Sequence, residues 1–476
     1  MSDTSGLMAL EARLRQDLAF LDLPAKPWLP ERGADDPHVA IIGAGMAGLA
    51  AAGALRLLGI PAVLVDQAPA GQEGPWATTA RMETLRSPKQ LAGPALGLPA
   101  LTFRAWFQAQ FGLTAWEELD KIPRLQWAEY LRWYRQVLDL QVRNEHRVLR
   151  VRPHAAGVTL NLSTPAGERT LEARRVIIAT GRAGLGGPSL PAFVQHLPTT
   201  HWSHTGQPLS DAAQRGLRIG VVGAGASAMD AAATALEAGA ASVDLLIRRA
   251  DLPRVNKGKG AGSPGLLNGY WTLPDREKWR LRHYINQQQV PPPRGSTLRV
   301  SRHANARFHF ASLVLDVELS GSELKVRTPQ RTLTLDHLIL GTGYQVDWQA
   351  RPEFATFADQ VRSWSARYQP GADEGDAELE SFPDLGPHFE FQPAEGADCP
   401  GLERLHCFCY PATLSHGSIA GDIPAISNGA QRLAQALAGL LYIEDLAWHG
   451  ERLAAYAEPE LNGDEWIPFP PTATLP

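Results

Sequence analysis

An α/β fold of two parallel-sheet units, the second inserted into the first, is what the 476-residue sequence predicts. Three observations carry that reading. A strand, glycine loop, helix and strand run in succession from His38 to Asp66; a second such run opens at Leu217; and two further strands end in matching Thr-Gly turns, at Thr180 and Thr342. Each run has the form of a Rossmann-like dinucleotide-binding unit.

In the first run, Val39 to Ile42 is an apolar stretch short enough for a buried parallel strand. Gly43, Gly45 and Gly48 then give the spacing G-x-G-x-x-G, interleaved with Ala44, Met46 and Ala47. Gly43 suits a tight turn, Gly45 lets backbone approach a pyrophosphate, and Gly48 lets helix and strand pack closely. An Ala- and Leu-rich helix runs to Leu58, Gly59 stops it, and Ala62 to Val65 form a second buried strand. The helix N-terminus offers free N–H groups and partial positive charge to the anion. Asp66, followed by Gln67, stands where a carboxylate accepts from ribose hydroxyls.

Composition narrows the class. At 44% hydrophobic, the chain can fill sizeable cores, and its length suits two or three domains. A formal charge of −5 gives no nucleic-acid footprint. No apolar run reaches the roughly 18 residues of a membrane span. The N-terminus carries Asp3, Glu11 and Asp17 without an uninterrupted apolar core, so it does not read as a signal peptide. Leu7, Leu10, Leu14, Leu18 and Leu21 fall on one helical face, which predicts an amphipathic helix docked on the first unit. Three cysteines, Cys399, Cys407 and Cys409, make neither a disulfide framework nor a C-x-x-C redox pair. A cytoplasmic enzyme, monomer or homodimer, is the expectation.

Further along, Pro24 to Pro37 reads as a linker, and Gly71 to Trp76, with Gly74 and Trp76, as a loop after the second strand. Arg81 to Lys89 has neither helical nor strand period. Leu101 to Phe111 and Pro123 to Leu140 read as helices; with their connecting loop they hold Trp106, Phe107, Trp116, Trp127, Tyr130, Trp133 and Tyr134, most as packing or, for some of them, as the lining of a substrate cavity. Val148 to Val151 and Val158 to Leu162 read as hairpin strands. Arg175 to Ile178 is a buried strand leading into Ala179, Thr180 and Gly181.

The second unit repeats the first. Leu217 to Val222 is a strand, Gly223, Gly225, Ala226 and Ser227 belong to the phosphate loop, Met229 to Ala238 is its helix, and Val243 to Ile247 the next strand. That strand ends in Arg248 and Arg249, which suit a 2′-phosphate as a carboxylate would not. Asp66 in the first unit therefore points to FAD, and the arginine pair in the second to NADPH. Leu252 to Pro293 reads as an insertion beside the second site. Short strands follow at Leu313 to Leu319 and Leu324 to Thr328. Asp336 to Tyr344 is a strand leading into Gly341, Thr342, Gly343 and Tyr344. Arg367 to Glu395, acidic and proline-bearing, reads as a surface excursion. Gly417 to Asp422 leads into a helix from Ile426 to Tyr442, placing Asp422 to bond the flavin's ribityl or phosphate region or simply to cap the helix. The expected domains are 1–37, an N-terminal helix and linker; 38–185, the first part of the FAD domain; 186–344, the NADPH domain with an insertion near 252–300; and 345–476, the return that completes the FAD domain.

These motifs resemble the class B flavoprotein monooxygenases, the group of flavin-containing monooxygenases, Baeyer–Villiger monooxygenases and N-hydroxylases. GAGMAG, the Gly-Pro-Trp at Gly74 to Trp76, IIATG, GAGASA and D-x-x-x-L-GTGY carry the likeness, over about 38 to 440. Gly341 stands where the N-hydroxylase signature has alanine. The fingerprint F-x-G-x-x-x-H is absent as such; Phe193, His196, His201, Trp202 and His204 occupy that region with other spacing. Arg86 falls near a flavin-proximal asparagine of flavin-containing monooxygenases. It could stabilise an anionic peroxyflavin, bind a substrate carboxylate or serve as a phosphate or structural ion-pair partner.

The resemblance implies an FAD- and NADPH-dependent monooxygenase that forms a C4a-peroxyflavin with O₂ and inserts one oxygen into the heteroatom or carbonyl of a small-molecule substrate. Arg86, Trp76, Arg81 and His201 are the expected flavin- or substrate-proximal residues. No Ser-His-Asp arrangement or metal-ligand spacing competes. The alternatives are an NADPH-dependent flavoprotein reductase serving an external acceptor, and a non-catalytic redox module holding FAD structurally.

Overall fold

The computed structural model describes residues 4–469 except 209 and 211. Residues 1–3, part of the stretch read against a signal peptide, lie outside the described residues. The leading helix spans Thr4–Phe20, buries Leu10 and Leu14, and packs on Phe103–Glu118. Leu21 falls beyond its end and is exposed.

Two five-stranded parallel sheets organise the chain. The first runs Leu405–Cys407, Arg175–Ile178, Val39–Ile42, Ala62–Val65 and Val142–Arg143 in spatial order. The second runs Ala306–His309, Ser242–Leu246, Arg218–Val222, His337–Leu340 and Trp202–His204. Every neighbouring pair in both is parallel. Apolar runs at these strands match sheets covered on both faces. Helix Met46–Leu57 follows the first glycine loop, and Ile426–Glu444 packs against it; Ala226–Glu237 follows the second loop.

The crossings between the sheets lie side by side. Gly186–Pro188, on the way out, pairs antiparallel with Tyr344–Val346 on the way back. Thr342 Oγ1 donates to the Ser189 carbonyl at 2.5 Å, and Thr180 Oγ1 to that of Gly184 at 2.9 Å. The two threonines thus fasten the crossing ribbon with their side chains.

The hairpin expected from Val148 to Leu162 gains a third strand, Gly167–Ala173, and the strands near residue 320 also form a three-stranded meander ending with Thr332–Leu335. The aromatic helices, Phe103–Glu118 and Arg124–Val137, pack their rings together; Trp106, Trp127, Tyr130 and Tyr134 are fully buried.

The surface excursion expected over 367–395 is a correction. Leu379, Phe382, Asp384, Leu385, Phe389 and Phe391 are buried there. Asp384 is paired with Arg362 and Arg367, while the rings, too irregularly spaced to show a period, fill gaps against Trp279, Trp364, Leu414 and Phe408. The 252–300 segment is helical and leans on this same region. The Tyr270 hydroxyl donates to the Leu414 carbonyl at 3.2 Å, and Trp279 Nε1 to that of Glu374 at 2.8 Å.

Candidate functional site

Both glycine loops stand at the carboxyl edges of their sheets, where ligands of this architecture bind. They are built alike. Gly43 has φ 103° and Gly223 φ 118°. A side chain on Gly43 would strike the Ala179 carbonyl oxygen at 2.7 Å, and one on Gly223 the Gly341 oxygen at 2.6 Å. In each unit the first loop glycine turns against the residue just after the neighbouring strand.

The first loop fits a pyrophosphate. Gly45 caps helix Met46–Leu57 without any side-chain bond, so nothing from a cap side chain competes for its leading N–H groups. A Cβ on Gly45 would come 3.7 Å from Gly74 Cα, so the two loops face each other across a narrow gap. Asp66 holds the loop in shape, accepting the Ala44 N–H at 2.7 Å and the Ala68 N–H at 2.8 Å. Burial raises its pKa, and these two bonds oppose the rise. A carboxylate has further lone pairs for ribose hydroxyls. Gln67 beside it is exposed.

At the second loop, Gly225 caps Ala226–Glu237, again without a side-chain bond, and a Cβ there would meet nothing within 4 Å. Ser227 lies in the helix's first turn. Arg248 is exposed beyond the adjacent strand, whereas Arg249 donates to the Gln287 carbonyl at 2.7 Å. The departure at Gly341 has a packing cause. Its Cβ would lie 2.5 Å from Ala228 Cβ, so helix and strand approach too closely for alanine.

The predicted catalytic residues separate. Trp76 packs edge-on against Trp127, with centroids 6.4 Å apart, and its carbonyl accepts from Arg124. Arg81 bridges the units, donating to the Thr205 carbonyl at 2.6 Å and to that of Gln207. Arg86 is exposed, within electrostatic reach of Asp422 and Arg182. Asp422 is exposed before Ile426–Glu444 and makes no cap bond. His201 precedes Trp202–His204, whose register sets Trp202 beside Leu338 and His204 beside Leu340. His201 therefore stands at the amino end of that strand, near His337, and apart from the other three.

His204 occupies the carboxyl edge instead. It is fully buried, its ring edge-on to Tyr344 at 5.3 Å, and burial pushes its pKa below the ordinary value. Arg182, just after Gly181, lies over the Tyr410 ring at 4.3 Å. The signal that could have found both was position: His204 ends a strand, and Arg182 follows the Thr-Gly turn after another, at the edge where cofactors bind.

Cys407 and Cys409 are buried with sulfurs 3.5 Å apart, and burial pushes the Cys407 thiol well up. Cys399 is half-buried and also raised, by burial and then by Glu403. Thiols held protonated in this way are poor nucleophiles.

Comparison with known proteins completes the description. A family model described as pyridine nucleotide-disulphide oxidoreductase matches residues 40–260. Over 465 residues the chain is 39% identical to a protein of Xanthomonas campestris pv. campestris named FAD-dependent urate hydroxylase, covering 97% of this chain and 98% of that one. An ornithine N-hydroxylase of Kutzneria sp. 744, solved with reduced FAD, NADP⁺ and L-ornithine, matches with TM-score 0.65 at 16% identity, over 84% of this chain and 99% of that one. Bacillithiol disulfide reductase of Staphylococcus aureus matches with TM-score 0.54 at 17% identity, over 84% and 98%. At such identities the two structures speak for the fold alone.

Proposed function

The chain belongs to the flavoprotein monooxygenase family of the Xanthomonas FAD-dependent urate hydroxylase, and on that premise we propose that it uses FAD, NADPH and O₂ to hydroxylate urate or a near relative of it. The observation that carries the proposal is 39% identity sustained over nearly the whole of both chains. Two glycine loops, each at the carboxyl edge of a parallel sheet, support it.

Bound FAD would accept hydride from NADPH and, once reduced, activate O₂; that chemistry is the cofactor's own. The chain's part is binding, orientation and exclusion of water. Gly43 to Gly48 would hold the flavin nucleotide's pyrophosphate, and Asp66 its ribose. Gly223 to Ser227 would take the second pyrophosphate, with Arg248 and Arg249 at the 2′-phosphate. The start of Ile426–Glu444 would offer helix-dipole charge to the bound flavin. Arg81 keeps the two units in one orientation, and His204 with Tyr344 lines the junction between them.

A dithiol reductase is the reading this geometry disfavours. Its closest thiol pair, Cys407 and Cys409, is buried, and burial pushes the Cys407 thiol well up. The test is aerobic turnover of the FAD-loaded protein with urate. Urate loss in step with NADPH oxidation supports the proposal; NADPH oxidation unchanged by urate, but quickened by disulfides or quinones, would sink it.

A further inference from the structure

Arg124 opens the helix Arg124–Val137, and its half-buried guanidinium turns back onto the 76–83 loop. Nε donates to the Met82 carbonyl at 2.9 Å, Nη1 to that of Trp76, and the backbone N–H to that of Glu83 at 3.0 Å. A single residue thus fastens both ends of that loop with charge-assisted bonds, the stronger kind.

Each end of the loop leads to one of the two units. Gly74, two residues before Trp76, faces the first glycine loop, where a Cβ on Gly45 would lie 3.7 Å from its Cα. At the other end, Arg81 donates to the Thr205 and Gln207 carbonyls, just beyond Trp202–His204 of the second sheet. From the second unit, Arg299 returns a bond to the Arg81 carbonyl at 3.2 Å. Arg299 is itself held by Glu237 at 2.6 Å, on the helix that follows the second glycine loop, and meets Glu83 at 3.6 Å and Asp230 at 3.7 Å. A run of contacts therefore leads from the first glycine loop to the helix of the second, with Arg124 at its middle.

Beside this run the seam is hollow. A cavity of about 330 Å³ is lined by Thr78, Arg81, Glu83 and Arg124 of the first unit and by Thr234 and Arg299 of the second. A void gives its walls no partner atoms to pack against, so at this point the guanidinium bonds hold the spacing of the units.

We propose that Arg124 is a positioning residue for flavin reduction: it fixes the 76–83 loop, and that loop registers the second unit on the first. The inference rests on the reading above that NADPH reduces FAD, and not on urate as the substrate. Transfer needs reacting atoms about 3–3.5 Å apart, and a misplacement of about 1 Å can cost about a hundredfold. A residue acting through a loop can therefore control the rate.

The experiment mixes FAD-loaded protein anaerobically with NADPH by stopped flow and follows the loss of the oxidised flavin band. Arg124→Gln should lower the limiting reduction rate about tenfold or more, with the NADPH Kd within about threefold of wild type. Arg124→Lys keeps the charge without the fork that serves two carbonyls, and should fall between. Bound FAD and the rate of reduction by dithionite, which needs no registered nucleotide, should be unchanged in both. Arg81→Met with Arg124→Gln should be no slower than about the slower single variant, since both act through one loop. A limiting rate within about twofold of wild type, a loss confined to NADPH affinity, equal slowing with dithionite, or additive losses in the paired variant would overturn the inference. If Arg124→Gln fails to retain FAD, the same measurements on Arg124→Lys decide. Wild-type flavin reduced by NADPH with urate left intact would sink the urate reading and leave the inference standing. Wild-type flavin left oxidised by NADPH would sink both.

Discussion

The Arg81 guanidinium donates to the Thr205 carbonyl at 2.6 Å, joining residues 124 positions apart. Arg299 secures the same loop from the second unit, donating to the Arg81 carbonyl at 3.2 Å while paired with Glu237 at 2.6 Å. One guanidinium therefore ties the 81–89 loop to the segment that follows Trp202–His204. Arg81→Met should leave FAD content unchanged and slow anaerobic flavin reduction by NADPH about tenfold or more, two charge-assisted bonds being worth roughly 1.5–3 kcal/mol each. A reduction rate within twofold of wild type would remove Arg81 from this role.

Gly341 and Ala228 offer a packing test. Gly341→Ala restores the N-hydroxylase signature, yet places a methyl 2.5 Å from Ala228 Cβ. Overpacking of this kind costs roughly 1–3 kcal/mol. Thermal denaturation should show a lowered Tm, partly recovered in Gly341→Ala with Ala228→Gly, after allowing about 1 kcal/mol for glycine in a helix. Additive losses in the double variant would show that the two sites do not touch.

What the sequence discloses here follows from how local each constraint is. Gly43 and Gly223 are legible because their backbone conformation and crowding by a neighbouring strand leave no room for another residue. Asp66 is legible from its place at the end of a strand. The 367–395 segment was not, because Phe382, Phe389 and Phe391 follow no period and their acidic neighbours dominate the composition. Choosing His204 over His201 needs the register of Trp202–His204 against His337–Leu340, a long-range pairing that neither segment specifies alone. The contact of Arg182 with the Tyr410 ring likewise joins segments far apart in sequence.

Nucleotide choice should depend on Arg248 and Arg249. Arg248→Ala with Arg249→Ala is expected to raise the NADPH KM more than tenfold, from two lost contacts of roughly 1.5–3 kcal/mol each, with little effect on NADH. Because Arg249 is already bonded to the Gln287 carbonyl, Arg248→Ala alone should cause the larger single loss. Steady-state kinetics with both nucleotides checks this, and equal losses for NADPH and NADH would refute the 2′-phosphate role.

Acid sensitivity follows from buried imidazoles. Burial, then Arg175, pushes His406 down to about 3, and burial pushes His416 well below the ordinary value. Unfolding returns both to about 6.5. Below that pH the unfolded chain binds more protons than the folded one, so stability is full above about pH 6.5 and falls as pH drops toward 3. Each histidine contributes a loss of roughly 1.4 kcal/mol per pH unit in that window. Tm measured from pH 8 to 4.5 should be flat and then fall, and His406→Gln should lower Tm at pH 7.5 yet flatten the acid slope. An unchanged slope would contradict the assignment.

The most direct test of the monooxygenase assignment is the fate of labelled oxygen. Purified FAD-loaded protein is supplied with NADPH, urate and isotopically heavy O₂, and the product is weighed by mass spectrometry. The account predicts one heavy oxygen atom in the product for each NADPH consumed. Unlabelled product, or NADPH consumption recovered entirely as hydrogen peroxide with urate intact, would contradict it.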